Sequence, residues 1–226
     1  IPAINSNGSI PSVVSANPAA GFSIVSHNGT GGVGTVGHGL DSAPNIIIRK
    51  DRDAPTDWWV YSSETYPDFG YLNYTDAFGQ FSNAAYSYNL SNVTNSVFSV
   101  GNDYSGNVNN NKYIAYCFAE VAGFSKFGSY TGISGSVTVS GLGFEPAFLM
   151  IKKTNTSTNG SWSIFDSVRD DASNNYQLYP NLSNAENTRI GLITYNSDGF
   201  TINNNTVGEI NTIGDTYIYM AFANQF

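Results

Sequence analysis

The segment KYIAYCFAEV, residues 112–121, is an apolar run of strand length, and the chain repeats it near its end as TYIYMAFANQ, residues 216–225. Both runs are rich in aromatic and small apolar residues and are continuous rather than alternating, which is typical of strands buried on both faces. Internal repetition over a long period limits the possible architectures of a chain more strongly than any local pattern does. The two runs predict the same buried strand in two related units.

Four further blocks recur in the same order, spaced 102 to 104 residues apart. Each block and its second copy are AGFSIVSHNG (20–29) with AGFSKFGSYTG (122–132), HGLDSAPNIIIRK (38–50) with SGLGFEPAFLMIKK (140–153), WWVYSS (58–63) with WSIFDS (162–167), and SVFSVGN (96–102) with DGFTINN (198–204). Recurrence in one order indicates an internal duplication.

The fold that these patterns predict is all-β, with two tandem, homologous β-sandwich units of jelly-roll-like type, residues 20–121 and 122–226. LITYNSDGFTIN, residues 192–203, predicts a hairpin around Asn196–Gly199. An N-terminal arm, residues 1–19, has prolines at positions 2, 11 and 18 and is expected to be an extended linker or edge segment.

The charge balance argues against two classes of partner. The 226 residues carry a net charge of −8, with only 9 Lys and Arg. Nucleic-acid backbones and anionic membranes both require basic patches, so we expect neither as a partner. The single Cys117 lies in an apolar run and is expected to be a buried, inert thiol. The chain begins with Ile1 rather than Met, and we expect a processed product or a fragment.

The glycine run HNGTGGVGTVGHGL, residues 27–40, has the G-x-G-x-x-G spacing of a dinucleotide-binding loop. That site also needs a following helix, whereas this run leads into the strand NIIIRK, and its second copy lacks the glycines. We expect a strand–turn–strand segment. Neither His27 nor His38 is repeated in the second copy, and both are expected to face solvent in loops.

Two acidic clusters are candidate Ca²⁺ ligands because carboxylate oxygens suit that ion. The first contains Asp51, Asp53 and Asp57, and the second contains Asp166, Asp170 and Asp171. Charged residues in turns are the alternative explanation. No cofactor is otherwise indicated. No G-x-S-x-G motif is present, and no motif selects a pair of glycosidase carboxylates, so we expect a protein that is not an enzyme.

The candidate binding patch is aromatic. Trp58 and Trp162 occupy repeated positions and are expected in the core, whereas Trp59 is replaced by Ser163 in the second copy. Trp59, with Tyr66, Tyr71 and Tyr74 just after it, would then form an exposed surface that stacks on a sugar or a partner protein. Packing between the two units is an equally good explanation.

The repeated blocks, above all AYCFAEVAGFSKFGSYTG (115–132), resemble a paired domain of unknown function that is widespread in virion proteins of marine and other environmental tailed phages. The resemblance runs from about residue 20 to the end of the chain. It implies a tail-fibre or other virion appendage component at the virion surface. It brings no established catalytic residues.

Three functions remain open from the sequence. The first is a non-enzymatic virion structural protein that forms homo-oligomers or polymers and engages other virion subunits or host-surface glycans. The second is an extracellular filament or surface-layer subunit whose N-terminal arm pairs with the sheet of a neighbouring copy. The third is a glycan-active enzyme.

Overall fold

A computed structural model of the chain describes residues 2–79, 92–101, 106–171, 173–203 and 208–224. These residues form eighteen strands and one short 3-10 turn, Pro18–Ala20, so the all-β prediction is confirmed. The chain divides into two compact units, and each is described separately below. Unit 1 comprises Ile1–Leu72 and Gly79–Ala119, and unit 2 comprises Asn73–Phe78 and Glu120–Phe226.

These bounds differ from the predicted segments in three places. The N-terminal arm belongs to unit 1, where it forms two strands, and the short segment Asn73–Phe78 belongs to unit 2. Unit 2 then resumes at Glu120 rather than at residue 122. Inside unit 2, the buried Lys152 ammonium donates hydrogen bonds to the carbonyl oxygens of Thr75 (3.2 Å), Asp76 (2.7 Å) and Gly160. A buried ammonium requires acceptors of this kind, and the sequence around residue 75 contains no pattern that announces them.

Unit 1 contains nine strands among its described residues. They are β1 (Ala3–Asn5), β2 (Ser12–Asn17), β3 (Phe22–Asn28), β4 (Gly34–Gly37), β5 (Ile46–Asp51), β6 (Trp59–Ser62), β7 (Phe69–Tyr71), β8 (Val97–Val100) and β9 (Lys112–Phe118). Seven of them form an antiparallel sheet in the order β1-β2-β3-β9-β5-β6-β7, and β4 pairs with β8 in a second sheet. The repeated run KYIAYCFAEV contains β9, which is therefore a central strand of the larger sheet.

Unit 2 also contains nine strands among its described residues. They are β10 (Ser125–Thr131), β11 (Val137–Ser140), β12 (Pro146–Lys153), β13 (Ser163–Asp166), β14 (Asn174–Gln177), β15 (Asn187–Ile190), β16 (Ile193–Asn196), β17 (Gly199–Ile202) and β18 (Thr216–Ala223). The sheets have the orders β10-β18-β12-β13, β11-β17-β16 and β14-β15. The predicted hairpin is confirmed, with Asn196 opposite Gly199.

The duplication is visible in the strand order. β3-β9-β5-β6 of unit 1 is repeated as β10-β18-β12-β13 in unit 2, and β4-β8 is repeated as β11-β17. In both units the larger sheet packs its apolar face on the smaller one, as in a sandwich. Val25, Ile47 and Phe98 belong to one buried cluster in unit 1, and Leu149 and Phe200 belong to one in unit 2.

A stack of three rings occupies equivalent places in the two cores. In unit 1, His27 stacks on Tyr113 at 5.1 Å and meets the edge of Phe98 at 6.5 Å. In unit 2, Tyr130 stacks on Tyr217 at 4.9 Å and meets the edge of Phe200 at 6.4 Å. The tyrosine hydroxyls of the last strands accept equivalent hydrogen bonds, from the N–H of Val108 and of Thr212.

A buried asparagine in each unit joins the turn after the first repeated strand to the turn before the last. In unit 1, Asn107 accepts a hydrogen bond from the N–H of Thr30 (3.0 Å) and donates to the Gly32 carbonyl. In unit 2, Asn211 accepts from the N–H of Ile133 (3.0 Å) and donates to the Gly135 carbonyl (2.8 Å). We call this arrangement the asparagine clamp.

Replacing the clamp residue should destabilise the unit that carries it. Asn107→Ala and Asn211→Ala each leave a turn N–H and a carbonyl without their side-chain partner, which costs about 2 kcal/mol or more in free energy of unfolding. Asn109→Ala, an exposed position beside the first clamp, is the matched control and should cost under about 0.5 kcal/mol. Denaturant unfolding of the three variants measures the difference, and equal losses would contradict the clamp's role.

Candidate functional site

The glycine run of unit 1 forms the predicted strand–turn–strand segment. β3 ends at Asn28, a turn follows, and β4 begins at Gly34. A Cβ on Gly29 would collide with the Val108 carbonyl oxygen, and a Cβ on the equivalent Gly132 would collide with the Thr212 carbonyl oxygen. These two glycines therefore allow the turns of the clamp to approach closely.

Both histidines are buried, so the prediction that they face solvent is wrong. His38 donates from Nε2 to the Thr94 carbonyl (3.0 Å) and accepts at Nδ1 from the N–H of Leu40 (3.1 Å). Both ring nitrogens are engaged, which leaves no lone pair for a metal. The sequence could not predict the burial of His38, because a histidine that forms hydrogen bonds within a turn has the same local sequence as an exposed one.

His27 lies in the ring stack beside a buried arginine. Burial and, second, the charge of Arg49 lower the pKa of His27 to about 4. The Arg49 guanidinium lies 5.9 Å from the ring centre of Tyr113 and donates a hydrogen bond to the Gly106 carbonyl (2.9 Å). The Nε2 atom of His27 is buried without a hydrogen-bond partner among the described residues. A neutral ring packed on aromatic neighbours is a core residue, not a proton carrier at neutral pH.

The first acidic cluster is divided by the fold. Asp51 is buried, and its carboxylate accepts hydrogen bonds from the N–H groups of Asp53 and Ala54 and from the Asn111 side chain (2.9, 3.2 and 2.8 Å). Burial raises the pKa of Asp51, but these hydrogen bonds outweigh it and the net pKa is lowered. Asp53 is exposed and accepts from the N–H of Lys112, while Asp57 is half-buried. Asp51 anchors the turn after β5.

Across the described ranges, no group of three or more His, Cys, Asp or Glu side chains is arranged to hold a metal ion. Of the first cluster, Asp51 and Asp53 accept the hydrogen bonds given above. Cys117 is fully buried as predicted, and burial raises its pKa to about 12. A thiol in that environment is a poor nucleophile.

Trp59 does not belong to an exposed aromatic patch. Trp59 is only 2% exposed and packs in the core of unit 1 against Phe69 and Tyr71, at ring distances of 5.8 and 5.3 Å. Tyr66 and Tyr74 are exposed, at 48% and 43%, but Tyr74 belongs to unit 2. The prediction of one exposed surface is therefore wrong for Trp59.

The period of the strand explains the error. Trp59 and Tyr61 are two residues apart on β6 and so point to the same face. Tyr61 and its repeat Phe165 both lie in the cores, which places Trp59 on the core side as well. Trp162 is buried as expected, whereas Trp58 is half-buried on the opposite face.

Unit 2 has an open groove with a polar lining and a volume of about 280 Å³. Its lining residues come from three parts of the sequence: Glu145, Ser167, Asp170, Asp171, Asn175, Ile193, Thr194 and Tyr195. Sequence analysis singled out only the two aspartates, and as metal ligands. Glu145 and Ser167 lie in repeated blocks, and Ile193, Thr194 and Tyr195 lie in the predicted hairpin, but none of these patterns indicates a shared site. Their meeting depends on the fold alone.

Asp170 is held firmly in the wall of this groove. Its carboxylate accepts hydrogen bonds from the Tyr195 hydroxyl (2.7 Å), the Asn175 amide (2.8 Å) and the N–H of Tyr176 (2.7 Å). Burial and, after it, the bond to Asp170 raise the pKa of Tyr195, so its hydroxyl keeps its proton. Three donors from two strands fix the carboxylate in one orientation.

Asn175 fastens the two sides of the groove wall. It is buried, donates to the Ile193 carbonyl (3.2 Å) and accepts from the Ile193 N–H (2.7 Å). The side chain thus pairs with the backbone of β16 as another strand would. The groove wall is rigid before any ligand binds.

Asp171 lies at the rim and closes a turn. Its carboxylate accepts from the N–H groups of Ser173 and Asn174, both at 2.8 Å, and these bonds lower its pKa. Asp166, the third member of that acidic cluster, forms an ion pair with Arg169 at 2.7 Å. The arrangement offers a row of oxygen acceptors in a groove that solvent reaches.

The clamp asparagines are a further set of residues that sequence analysis missed. NVNNNKY (107–113) and NTIGDTY (211–217) align at the same spacing as KYIAYCFAEV and its repeat. Extending that alignment backwards would have found Asn107 opposite Asn211. Comparison of the repeats therefore contained this signal.

Comparisons with known proteins give one match. Residues 2–225 match the family described as Domain of unknown function (DUF7483). No curated protein and no solved structure is similar enough to count as a match. Within the described residues, no helix has the length and apolar character needed to cross a membrane.

The lowered pKa of His27 predicts a pH dependence of stability. Between pH 6.5 and about 4, His27 is protonated in the unfolded chain but stays neutral in folded unit 1. The free energy of unfolding therefore falls as the pH drops through this window. The His27 contribution is up to about 3 kcal/mol. His27→Phe removes this contribution. In urea titrations, the free energy of unfolding of the wild type should fall relative to that of the variant as the pH drops through this window. Parallel stability curves would contradict a buried, neutral His27.

Proposed function

Since the chain belongs to the DUF7483 family, we propose that it represents a non-enzymatic structural module of a virion appendage of tail-fibre type, which assembles with copies of itself and with other virion subunits and binds host-surface glycans. The place of action is the virion surface or another extracellular setting. The observation that carries the binding part is the rigid groove of unit 2, with Asp170 fixed in its wall.

The chemistry of the groove suits a hydroxyl-rich ligand. Sugars present many O–H donors, and the carboxylate oxygens at the groove are strong acceptors held in place by the protein. Asn175 and Tyr195 lock the wall, so little freedom is lost when a sugar binds. An open groove fits a chain of sugars better than a small metabolite, which needs an enclosed pocket.

The sign of the groove charge narrows the ligand class. Glu145, Asp170 and Asp171 line it, and the lining residues that the structure describes include no cationic side chain. Neutral or amine-bearing sugars are therefore favoured, and sugars with carboxylate or sulfate groups are repelled. The net charge of −8 acts in the same direction.

The pKa directions support a binding role over hydrolysis. A glycosidase needs a general acid whose carboxyl pKa is raised. In the groove the pKa of Asp171 is lowered by hydrogen bonds from the Ser173 and Asn174 backbone. The pKa of the neighbouring Asp166 is lowered as well, because hydrogen bonds from Arg169 and its charge outweigh the effect of burial. Asp171 therefore favours the charged state, which suits an acceptor of sugar hydroxyls rather than a general acid.

The virion part of the proposal draws on the repeated blocks and their resemblance to phage appendage domains. The fold is compatible with that setting: compact β units, with titratable groups such as His38 and Asp51 engaged in structural hydrogen bonds. The second candidate function, an extracellular filament or surface-layer subunit, is favoured by one observation. The N-terminal arm is a strand pair at the edge of unit 1, as an exchangeable strand would be.

Glycan binding can be tested with a variant that fills the groove. Ser167 is an exposed lining residue, and Ser167→Arg places a long side chain across the space. The full chain should bind neutral or amino-sugar oligosaccharides on a printed array, and Ser167→Arg should weaken that binding about tenfold or more. Ser197→Arg, an exposed serine of the β16–β17 turn outside the lining, is the matched control with the same charge change.

Two results would count against this function. Binding that is equal in Ser167→Arg and Ser197→Arg would remove the groove as the site. Preference for sialylated or sulfated glycans over neutral ones would contradict the charge argument.

A further inference from the structure

The glycine-rich strand β4 is bonded to the N-terminal arm in unit 1. Ser9 and Thr35 exchange two hydrogen bonds of 3.0 and 2.9 Å, and the N–H of Ile10 donates to the Thr35 carbonyl (2.9 Å). The Ser12 hydroxyl donates to the Gly37 carbonyl (2.8 Å). Since β2 also pairs with β3, the arm bonds to both sheets and closes one edge of the unit.

Two glycines of β4 make room for the arm. A Cβ on Gly34 would lie 2.7 Å from Cδ1 of Ile10, and a Cβ on Gly37 would lie 2.9 Å from the Asn7 carbonyl oxygen. Either contact is closer than real Cβ atoms approach other heavy atoms. A side chain at position 37 would therefore collide with the backbone of the arm, and one at position 34 would force the Ile10 side chain to move.

Unit 2 shows that the scaffold itself does not need these glycines. Its corresponding strand β11 has Val137 opposite Ile202 and Ser140 opposite Gly199, where β4 has Gly34 and Gly37 opposite Val100 and Val97. The described part of unit 2 contains no strands that correspond to β1 and β2. Arm and glycines occur together in unit 1 and are absent together in unit 2.

The arm behaves as an added strand with its own anchors. Ile10 and Val14 of the arm are buried in the core of unit 1, and six residue pairs join β2 to β3. Unit 2 completes the same four-strand order without such a strand. The contribution of the arm is thus separable from the duplicated scaffold.

A short connection links the arm to the scaffold. Pro18–Ala20 forms a single 3-10 turn that ends at Gly21, whose φ of 63° lies in the left-handed region. Extending this one turn would move β1 and β2 together without breaking any bond between them. Short, constrained connections between paired strands favour exchange of the strand between copies.

We infer that the N-terminal arm is an exchangeable strand that docks on the β3–β4 edge of a second copy of this chain. The occupant is a second copy because the edge fits this arm residue by residue: Ile10 lies against Gly34, and Asn7 lies against Gly37. Exchange reproduces every contact of the closed form, so only the turn at 18–21 changes. The inference rests on, and specifies, the self-assembly part of the proposed function.

Cysteine pairs test the docking directly. Val13 and Ser26 face each other across β2 and β3, and Val13 is exposed. Copies with Val13→Cys are mixed with copies with Ser26→Cys at high protein concentration under mild oxidation. Copies with Thr138→Cys, an exposed residue of β11, replace the Ser26→Cys partner as the control. We expect covalent heterodimers with Ser26→Cys at a yield at least tenfold above that with Thr138→Cys.

A second pair of variants tests the glycines. Gly34→Val with Gly37→Ser installs the residues of unit 2 in β4 and should lower the heterodimer yield about tenfold. Gly32→Ser is the matched control because no heavy atom lies within 4 Å of the added Cβ, and it should leave the yield unchanged.

Each other outcome has a distinct meaning. Arm exchange would be overturned by equal heterodimer yields with Ser26→Cys and Thr138→Cys. It would also be overturned if the double variant Val13→Cys/Ser26→Cys formed only disulfides within one chain and no mixed dimers appeared. If native mass spectrometry then still shows oligomers of the wild type, assembly by another surface stands and only this inference fails. A wild type that remains monomeric at all concentrations would overturn both the inference and the self-assembly proposal, while the glycan array judges the groove separately.

Discussion

The architecture of each unit depends on a buried asparagine side chain that bonds to both sides of a turn far away in sequence. Asn107 reaches back to Thr30 and Gly32, and Asn211 reaches back to Ile133 and Gly135. Each bond bridges more than 70 positions of the chain, so it couples the first repeated strand to the last. The side-chain amides supply hydrogen-bond partners for the backbone of these turns. The tyrosine of each ring stack accepts a hydrogen bond from the residue after the clamp asparagine, which links the stack to the clamp in both units.

Around this shared frame the two units have diverged in a coordinated way. Where unit 2 has Tyr130, which donates to the Ile210 carbonyl, unit 1 has the shorter His27, and Arg49 donates to the equivalent carbonyl of Gly106. Trp59 of unit 1 is replaced by Ser163, which accepts a hydrogen bond from Gln177 in unit 2. Unit 1 is thus filled by aromatic rings where unit 2 carries a polar network that extends towards the β14–β15 strands. The open groove and the arm site are features of different units, which separates binding from assembly in the proposed function.

Much of the fold could be predicted from the repeats, because a duplicated pattern of buried strands and glycine turns leaves few alternatives. The site could not. The lining of the groove comes from three stretches around residues 145, 170 and 194, and only tertiary pairing brings them together. The burial of His27 and His38 could not be predicted from the repeats, because neither histidine is repeated in the other unit. Trp59 was placed on the wrong face although Tyr61, two residues later, held the information needed to place it correctly.

Native-state hydrogen exchange tests the central claim most directly. If the asparagine clamp holds each unit together, the amides of Thr30 and Ile133 should exchange only when their unit unfolds, as slowly as amides of the central strands β9 and β18. This protection is unusual because both residues are in surface turns and have exposed or half-exposed side chains. Exchange of Thr30 and Ile133 at the rate of open turns, with β9 and β18 still protected, would contradict the account.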